Sequence, residues 1–385
     1  MAKSNIMAGS FEICVSRDLA TFDADWAALE QHGDCTPFQT RAWLHPWYSI
    51  VAPHFGATPL MVSVRDISSH APLMMLPLCT RRVGGLRTVE FADCGLSDYN
   101  APLIAKRFAP NEHELGVLWR GIRSAVARTD IVRLDKLTAS IMGHPNPLVA
   151  LRGLKPMPIS SWGVRLPSTR AEYDEKVLGS TFRNELKRKR RRLEGRGAVR
   201  FVHAGSEAEG RRIFSALAEM RNSRFEELGR KNVLADPTLR AFYDAVIFGN
   251  WDKKFAMLSA LEAEGEIIAA LFALRHANAY LLLMSSFKSG PWKSSSPGNV
   301  AIDFMASHLI EEGVSTFDFT IGNESYKRDF GAMETALYSG VQPLSLAGWP
   351  TAMKKSLRET VRDGLNAPIT KRAVVAARRA FRIDR

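Results

Sequence analysis

Apolar residues recur along this chain in two rhythms, and the order of the rhythms repeats. In the first half, residues 59–65 and 72–82 predict two strands around a polar turn at Ile67-Ser68-Ser69-His70. A strand over 87–91 follows, then an irregular stretch over 95–102. Residues 111–128 carry apolar positions at helical spacing and lead into a strand over 131–137. The second half repeats this order. Strands over 255–262 and 267–275 flank Ala263-Glu264-Gly265-Glu266, and a third covers 279–287. An irregular stretch over 288–299, a helix over 300–312 and a strand over 316–321 complete the series. Both halves read strand, turn, strand, strand, loop, helix, strand. The pattern predicts two copies of one α/β (α+β) unit, each a mixed sheet flanked by helices. The copies span 1–165 and 201–350, with a connecting helix in 166–200 and a tail over 351–385.

The connecting segment predicts one long helix over 171–196, stopped by Gly195 and Gly197. Leu186 and Leu193 fall on roughly one face, with Phe182 a turn before. The rest, from Arg183 to Arg192, is almost wholly basic. Two readings stand: a solvated helix held by a narrow apolar stripe, or a face for an anionic partner such as tRNA or a glycan carrier. The tail is basic too, with Val374, Val375, Phe381 and Ile383 among arginines. It reads as a membrane-surface helix or as a frayed terminus, peripheral to the chemistry.

Charge sharpens this picture. The chain has 385 residues and a formal net charge of +12, a balance that favours anionic partners. Cys14, Cys35, Cys79 and Cys94 show no paired spacing, so neither a zinc site nor a disulfide framework is expected. No metal is expected, and His45, His54 and His308 read as isolated. A reducing cytoplasm is the expected compartment. The N-terminus lacks the apolar core of a signal peptide, and no apolar run reaches membrane-spanning length.

Two stretches concentrate candidate chemistry. The segment from Phe317 to Gly331 begins as an alternating strand and breaks at Gly322. It then sets Glu324, Tyr326, Lys327 and Arg328 together. Upstream, Ser296-Pro297-Gly298-Asn299 opens an amphipathic helix. Unpaired N–H groups and partial positive charge at a helix start suit a pyrophosphate. Gly298 would admit close backbone approach, Ser296 or Asn299 would cap the helix, and Lys288 and Lys293 add charge.

The segment Asp318-Phe319-Thr320-Ile321-Gly322-Asn323-Glu324-Ser325-Tyr326-Lys327-Arg328-Asp329-Phe330-Gly331 resembles the GNAT acetyltransferase superfamily. The nearer likeness is to its double-GNAT branch, associated with cellulose and exopolysaccharide biosynthesis and related to the Fem-type aminoacyl transferases. Ser296-Pro297-Gly298 is similar to that branch's cofactor loop. Residues 37–44 and Leu96-Ser97-Asp98-Tyr99 resemble its N-terminal half. The likeness covers roughly residues 37–343. It departs from the usual Q/R-x-x-G-x-G/A pyrophosphate loop, of which one glycine remains.

The resemblance implies a tandem double GNAT fold and an acyl-CoA, such as acetyl-CoA, as co-substrate. An amine would attack the thioester directly. Asp318 would act as base, with Glu324 second, and Tyr326 would protonate the leaving thiolate. A backbone N–H among Leu283, Met284, Ser285 and Ser286 would meet the thioester oxygen. The pyrophosphate would lie at Ser296, Pro297, Gly298 and Asn299. Lys327 and Arg328 would hold an anionic group, while Asp98 and Tyr99 would face an amine acceptor, a small molecule or glycan precursor. The N-terminal copy, lacking these clusters, would wall the acceptor cleft. Duller roles compete: Asp318 as an ion-pair partner of Lys327 or Arg328, Tyr326 as a core phenol, Ser97-Asp98-Tyr99-Asn100 as a plain turn. Two other functions also fit: an aminoacyl-tRNA-dependent transferase, and a non-catalytic polyanion- or membrane-surface-binding protein.

Overall fold

The computed structural model describes residues 4–355 and residue 357. The tail expectation falls mostly on residues 358–385, outside the described residues. The main strands are β1 (Ser4–Ala8), β2 (Phe11–Ser16), β3 (Thr58–Asp66), β4 (Pro72–Val83), β5 (Leu86–Phe91), β6 (Ile131–Thr138) and β7 (Lys155–Arg165). They continue with β8 (Val199–His203), β9 (Ala256–Ala263), β10 (Glu266–His276), β11 (Ala279–Phe287), β12 (Thr316–Ile321) and β13 (Met333–Pro343). The helices that matter here are α1 (Asp23–His32), α2 (Glu112–Ala125), α3 (Ser180–Glu194), α4 (Glu207–Glu227), α5 (Pro237–Phe248) and α6 (Pro297–Glu311).

Each half builds the same unit. In the first, β3, β4 and β5 run antiparallel, α2 crosses over, and β6 returns parallel to β5. In the second, β9, β10 and β11 run antiparallel, α6 crosses over, and β12 returns parallel to β11. Local chemistry explains the elements. Asn111 and Glu114 close a capping box at the start of α2. Ile267 to Leu274 on β10 are all buried, as a central strand covered on both faces requires.

The two mixed sheets are halves of one continuous sheet. The strand after β6 in the chain, β7, pairs with β12 of the second half. The strand after β12, β13, pairs with β6 of the first half, and β7 and β13 pair with each other. The halves therefore exchange their closing strands. The hydrophobic pattern did not reveal β7 or β13, nor α4, which packs on the second half, nor α5, which lies against Trp43 of the first half.

The long connecting helix is broken. Helical turns over Arg170–Glu172 and Tyr173–Val177 end at Leu178 and Gly179, both extended, before α3 begins. Burial imposes the break: Tyr173 is fully buried and donates to the Phe330 carbonyl at 2.9 Å. Only Leu186 and Leu193 of α3 are buried.

Candidate functional site

The chemistry-bearing region lies where β11 and β12 part. Their parallel pairing runs from Ala279↔Thr316 to Leu281↔Asp318 and ends there. Beyond it, β11 carries a bulge: Phe272 faces Met284 and Ala273 faces Leu282, so Leu283 is the extra residue. A bulge frees a backbone N–H from the ladder, at the place expected to face a thioester oxygen. Met284 is buried, while Leu283 and Ser285 are half-buried.

Across the gap, Thr320 has φ +56° inside a strand, an outlier for a β-branched residue. This turn of the backbone aims its N–H at Asp318 Oδ1, 2.7 Å away. Tyr99, from the first half, donates its hydroxyl to the same oxygen at 2.8 Å. Both donors thus sit on Oδ1, and among the described residues Oδ2 is left for another partner. Burial, countered by these bonds and reinforced by nearby Asp98, pushes the Asp318 carboxyl up to about 6. Burial also raises Asp98 to about 6, against the pull of Thr320, Lys136 and Lys327.

The Ser97–Asn100 segment is more than a plain turn. Trp43 Nε1 donates to Ser97 Oγ at 3.1 Å, Gln39 Nε2 donates to the Tyr99 carbonyl at 3.1 Å, and Lys136 holds Asp93 at 2.7 Å. Phe38 and Trp43 pack edge-on around Tyr99 and Phe242, within the core between the halves.

The loop after β12 departs from the expected roles. Lys327 is 2% exposed, and its ammonium donates to the carbonyls of Ile321 (3.0 Å), Gly322 (3.3 Å) and Thr320 (3.4 Å), besides pairing with Glu324 at 3.0 Å. It clasps the loop and has no charge to spare for a ligand. Glu324 is exposed and engaged in that pair. Arg328 is exposed and stands over the Trp162 ring at 5.0 Å. Asp318 therefore pairs with neither cation. Tyr326 is half-buried, pushed up to about 12 by burial and the Glu324 charge, with the Ser285 hydroxyl as hydrogen-bond partner. The phenol thereby spans from the β12 loop to β11.

At the start of α6 the donors are fewer than a phosphate nest usually offers. The helix begins at Pro297, which has no N–H, and Asn299 donates to the Ser296 carbonyl at 3.0 Å, so Gly298 carries the remaining donor. Ser296 caps with its backbone alone, at φ +44°. Gly298 is buried, and a Cβ there would lie 2.8 Å from the Phe287 ring. Its smallness therefore serves strand–helix packing at the mouth of the gap.

Three neighbours were not anticipated. Thr320 looked like an ordinary strand residue. Arg221 and Arg224 come from α4: Arg221 lies near Asp98 and Tyr243, and Arg224 near Tyr326, with its guanidinium 5.0 Å over Phe287. The helix carries a regular apolar face, Ile213, Phe214, Leu217 and Ala218, and Arg221 and Arg224 follow on the same side. The basic helix α3 lies against α6 and the Gly290–Ser295 turn. Arg190 stacks on Phe304 at 4.4 Å, and Arg192 reaches the Ser294 carbonyl at 3.3 Å. Lys187, Arg188 and Arg191 are exposed.

The equivalent gap in the first half is lined by charge. Beyond the last parallel pair, Glu90↔Arg133, Arg133 contacts Glu90 (3.5 Å) and Asp135 (2.6 Å), while Lys355 reaches Asp135 at 3.1 Å.

Residues 180–328 match the acetyltransferase (GNAT) domain family. The fold is thus a tandem of two GNAT units, and the protein is an N-acyltransferase enzyme. Among solved structures the chain is similar to FemX, with 10% identity, a TM-score of 0.56 and coverage of 91% of this chain and 98% of that one. It is also similar to the C-terminal domain of a proposed lysylphosphatidylglycerol synthetase from Agrobacterium fabrum (10% identity, TM-score 0.50, coverage 89% and 96%). A Bacteroides thetaiotaomicron protein of unknown function is similar at 12% identity and TM-score 0.51, over 88% and 100% of the two chains. At these identities the likeness is one of fold. No curated protein matches the sequence.

Proposed function

We propose that the protein moves an acyl group from an acyl-CoA to an amine held between the two halves. The observation that carries this reading is the Asp318 carboxylate at the strand gap, fixed through Oδ1 by Tyr99 and Thr320 with Oδ2 left over. A carboxyl titrating near 6 is a base at neutral pH and still accepts a proton readily. Asp318 Oδ2 takes a proton from the acceptor's ammonium, and the amine nitrogen then forms its bond to the thioester carbon. The backbone at the Leu283 bulge stabilises the carbonyl oxygen as charge builds on it. As the carbon–sulfur bond breaks, Tyr326 gives its proton to the sulfur. A phenol pushed up to about 12 keeps that proton at neutral pH until a thiolate forms beside it. The attacking nitrogen sheds its second proton to solvent as the intermediate collapses, so the products are an amide and the free thiol; the Asp318 proton leaves to solvent and Tyr326 regains one from solvent.

The gap, the bulge and the Gly298–Phe287 contact fit an extended thioester arm. Asp98 and Tyr99 support an acceptor on the first-half side, where carboxylates suit a cation. The sequence likeness to the exopolysaccharide branch supports an amino sugar or another envelope precursor as acceptor. The cytoplasm, or its membrane face, is the matching compartment.

A second donor is supported by the exposed ridge of Lys187, Arg188 and Arg191 on α3 beside the Gly290–Ser295 turn. That ridge suits an aminoacyl-tRNA. Calorimetry separates the donors. Acetyl-CoA and longer acyl-CoAs should bind with a single site, whereas bulk tRNA should bind only weakly and be lost as salt rises. Binding of tRNA without binding of any acyl-CoA would transfer the reading to the second donor.

A further inference from the structure

Beyond β13 the chain leaves the sheet and exposes large apolar side chains. Leu346, Trp349, Met353 and Leu357 are 89%, 55%, 66% and 66% exposed. A short turn over Leu346–Gly348 passes into a helix over 349–355. The four residues follow one another at offsets of three, four and four, so they form one stripe along it. Lys354 flanks the stripe and is exposed.

This element is no frayed end. Leu344 N and Ser345 Oγ hold Asp130 at 2.8 and 2.9 Å, and Gly348 is buried so closely that a Cβ would meet the Asp130 carbonyl at 2.3 Å. Farther along, Lys355 pairs with Asp135 at 3.1 Å. Anchored at both points, the helix presents its apolar stripe outward at fixed orientation. Beside it opens a cavity of 1310 Å³, lined by Trp349 and Met353 with the cations Arg120, Arg123, Arg152 and Lys155 and one acid, Glu112. Past Leu357 the sequence adds eight lysines and arginines against three acidic residues.

We propose that the stripe Leu346, Trp349, Met353 and Leu357 docks the enzyme on an anionic phospholipid surface. An apolar ridge bordered by cations fits that interface: the side chains enter the headgroup boundary while the charges meet lipid phosphates. A second copy of this chain would place the same cations against one another. The chain's own distal segment, also basic, would meet the same repulsion from the cations around the cavity. Neither offers the charge complementarity that anionic lipid does. The proposal is independent of which acyl donor the active site uses.

Vesicle co-sedimentation of the full chain tests it. Vesicles containing phosphatidylglycerol should pull the protein down and pure phosphatidylcholine vesicles should not, with binding weakening as salt rises. Changing all four stripe residues to glutamine should lower binding to anionic vesicles by about tenfold or more, with melting temperature and acyl transfer to a soluble amine unchanged. These side chains are exposed, so the variant tests the surface and not the core. Failure of the wild type to bind anionic vesicles overturns the proposal. So does undiminished binding by the variant, which would assign adhesion to the basic tail alone. A dimer in sedimentation equilibrium that the four changes abolish would also overturn it, in favour of a second copy.

Discussion

Tyr99 and Asp318 lie 219 positions apart and are joined by a 2.8 Å hydrogen bond from the phenol to the carboxylate. The bond crosses between the two copies of the fold, from a pinned loop of one to the strand end of the other. It makes the second half depend on the first for the orientation of its carboxylate. A degenerate copy that only filled volume would have no need of a buried phenol there.

Asp318→Asn keeps the shape and removes the proposed base. Turnover should fall by roughly 10²–10⁴-fold, with acyl-CoA affinity unchanged in calorimetry. In the wild type, kcat/KM should rise with pH through about 6, because the carboxylate is the active form. Turnover near normal in the folded variant would remove Asp318 from the chemistry.

Asp98 and Asp318 leave a mark on stability. Both are raised in the folded state by burial, so the folded protein holds their protons more tightly than the unfolded chain. Their contribution to stability is full below pH 4 and is lost as pH rises through about 6. Asp98→Asn should therefore raise the melting temperature at pH 7.5 relative to pH 4.5, compared with the wild type. It should also lower the pH at which kcat/KM rises, since one neighbouring negative charge is gone. An unchanged pH profile would show that Asp98 does not act on Asp318.

The sequence showed much of this and withheld particular parts for physical reasons. The repeated strand order was legible because β3 to β6 and β9 to β12 carry strong periodicity, and β11 and β12 fall at the expected bounds. The exchange of β7 and β13 was not, because pairing partners are set by tertiary packing. Lys327 illustrates the limit at the site. Beside Arg328 in sequence it looked like half of a cationic pair, yet the chain turns at Gly322 and buries one while exposing the other. Gly298 was expected to admit a pyrophosphate close to the backbone, and in the fold the group that crowds it is the Phe287 ring.

Lys327→Met tests the clasp. It leaves carbonyls of the β12 loop without their donor and should destabilise the fold by about 1–3 kcal/mol. The surviving folded enzyme should show little change in KM for an anionic substrate. A large KM increase at unchanged melting temperature would restore Lys327 to a ligand-binding role.

The ridge on α3 can be cleared without touching the core. Lys187, Arg188, Arg191 and Arg192 changed together to glutamine should leave the melting temperature within a few degrees, because Leu186 and Leu193 anchor the helix. Affinity for a polyanion such as heparin should fall, and its dependence on salt should flatten. Loss of folding would show that the charges are structural.

Tyr326→Phe isolates the last proton transfer. The ring stays, edge-on to Phe319 with centroids 6.1 Å apart, so packing is preserved. Only the hydroxyl goes, with its partner Ser285 left to the gap. If the phenol protonates the sulfur, turnover should fall by roughly 10²-fold or more while acyl-CoA still binds. The defect should shrink with an acyl donor whose thiol is more acidic, because such a thiolate departs without a proton. That dependence on the leaving group separates an acid from a packing residue. A packing residue lowers melting temperature and slows every donor alike. Assays with two thioesters of different thiol acidity, read per folded molecule, decide the matter. An equal loss with both would move the proton donor to a bound water beside Ser285.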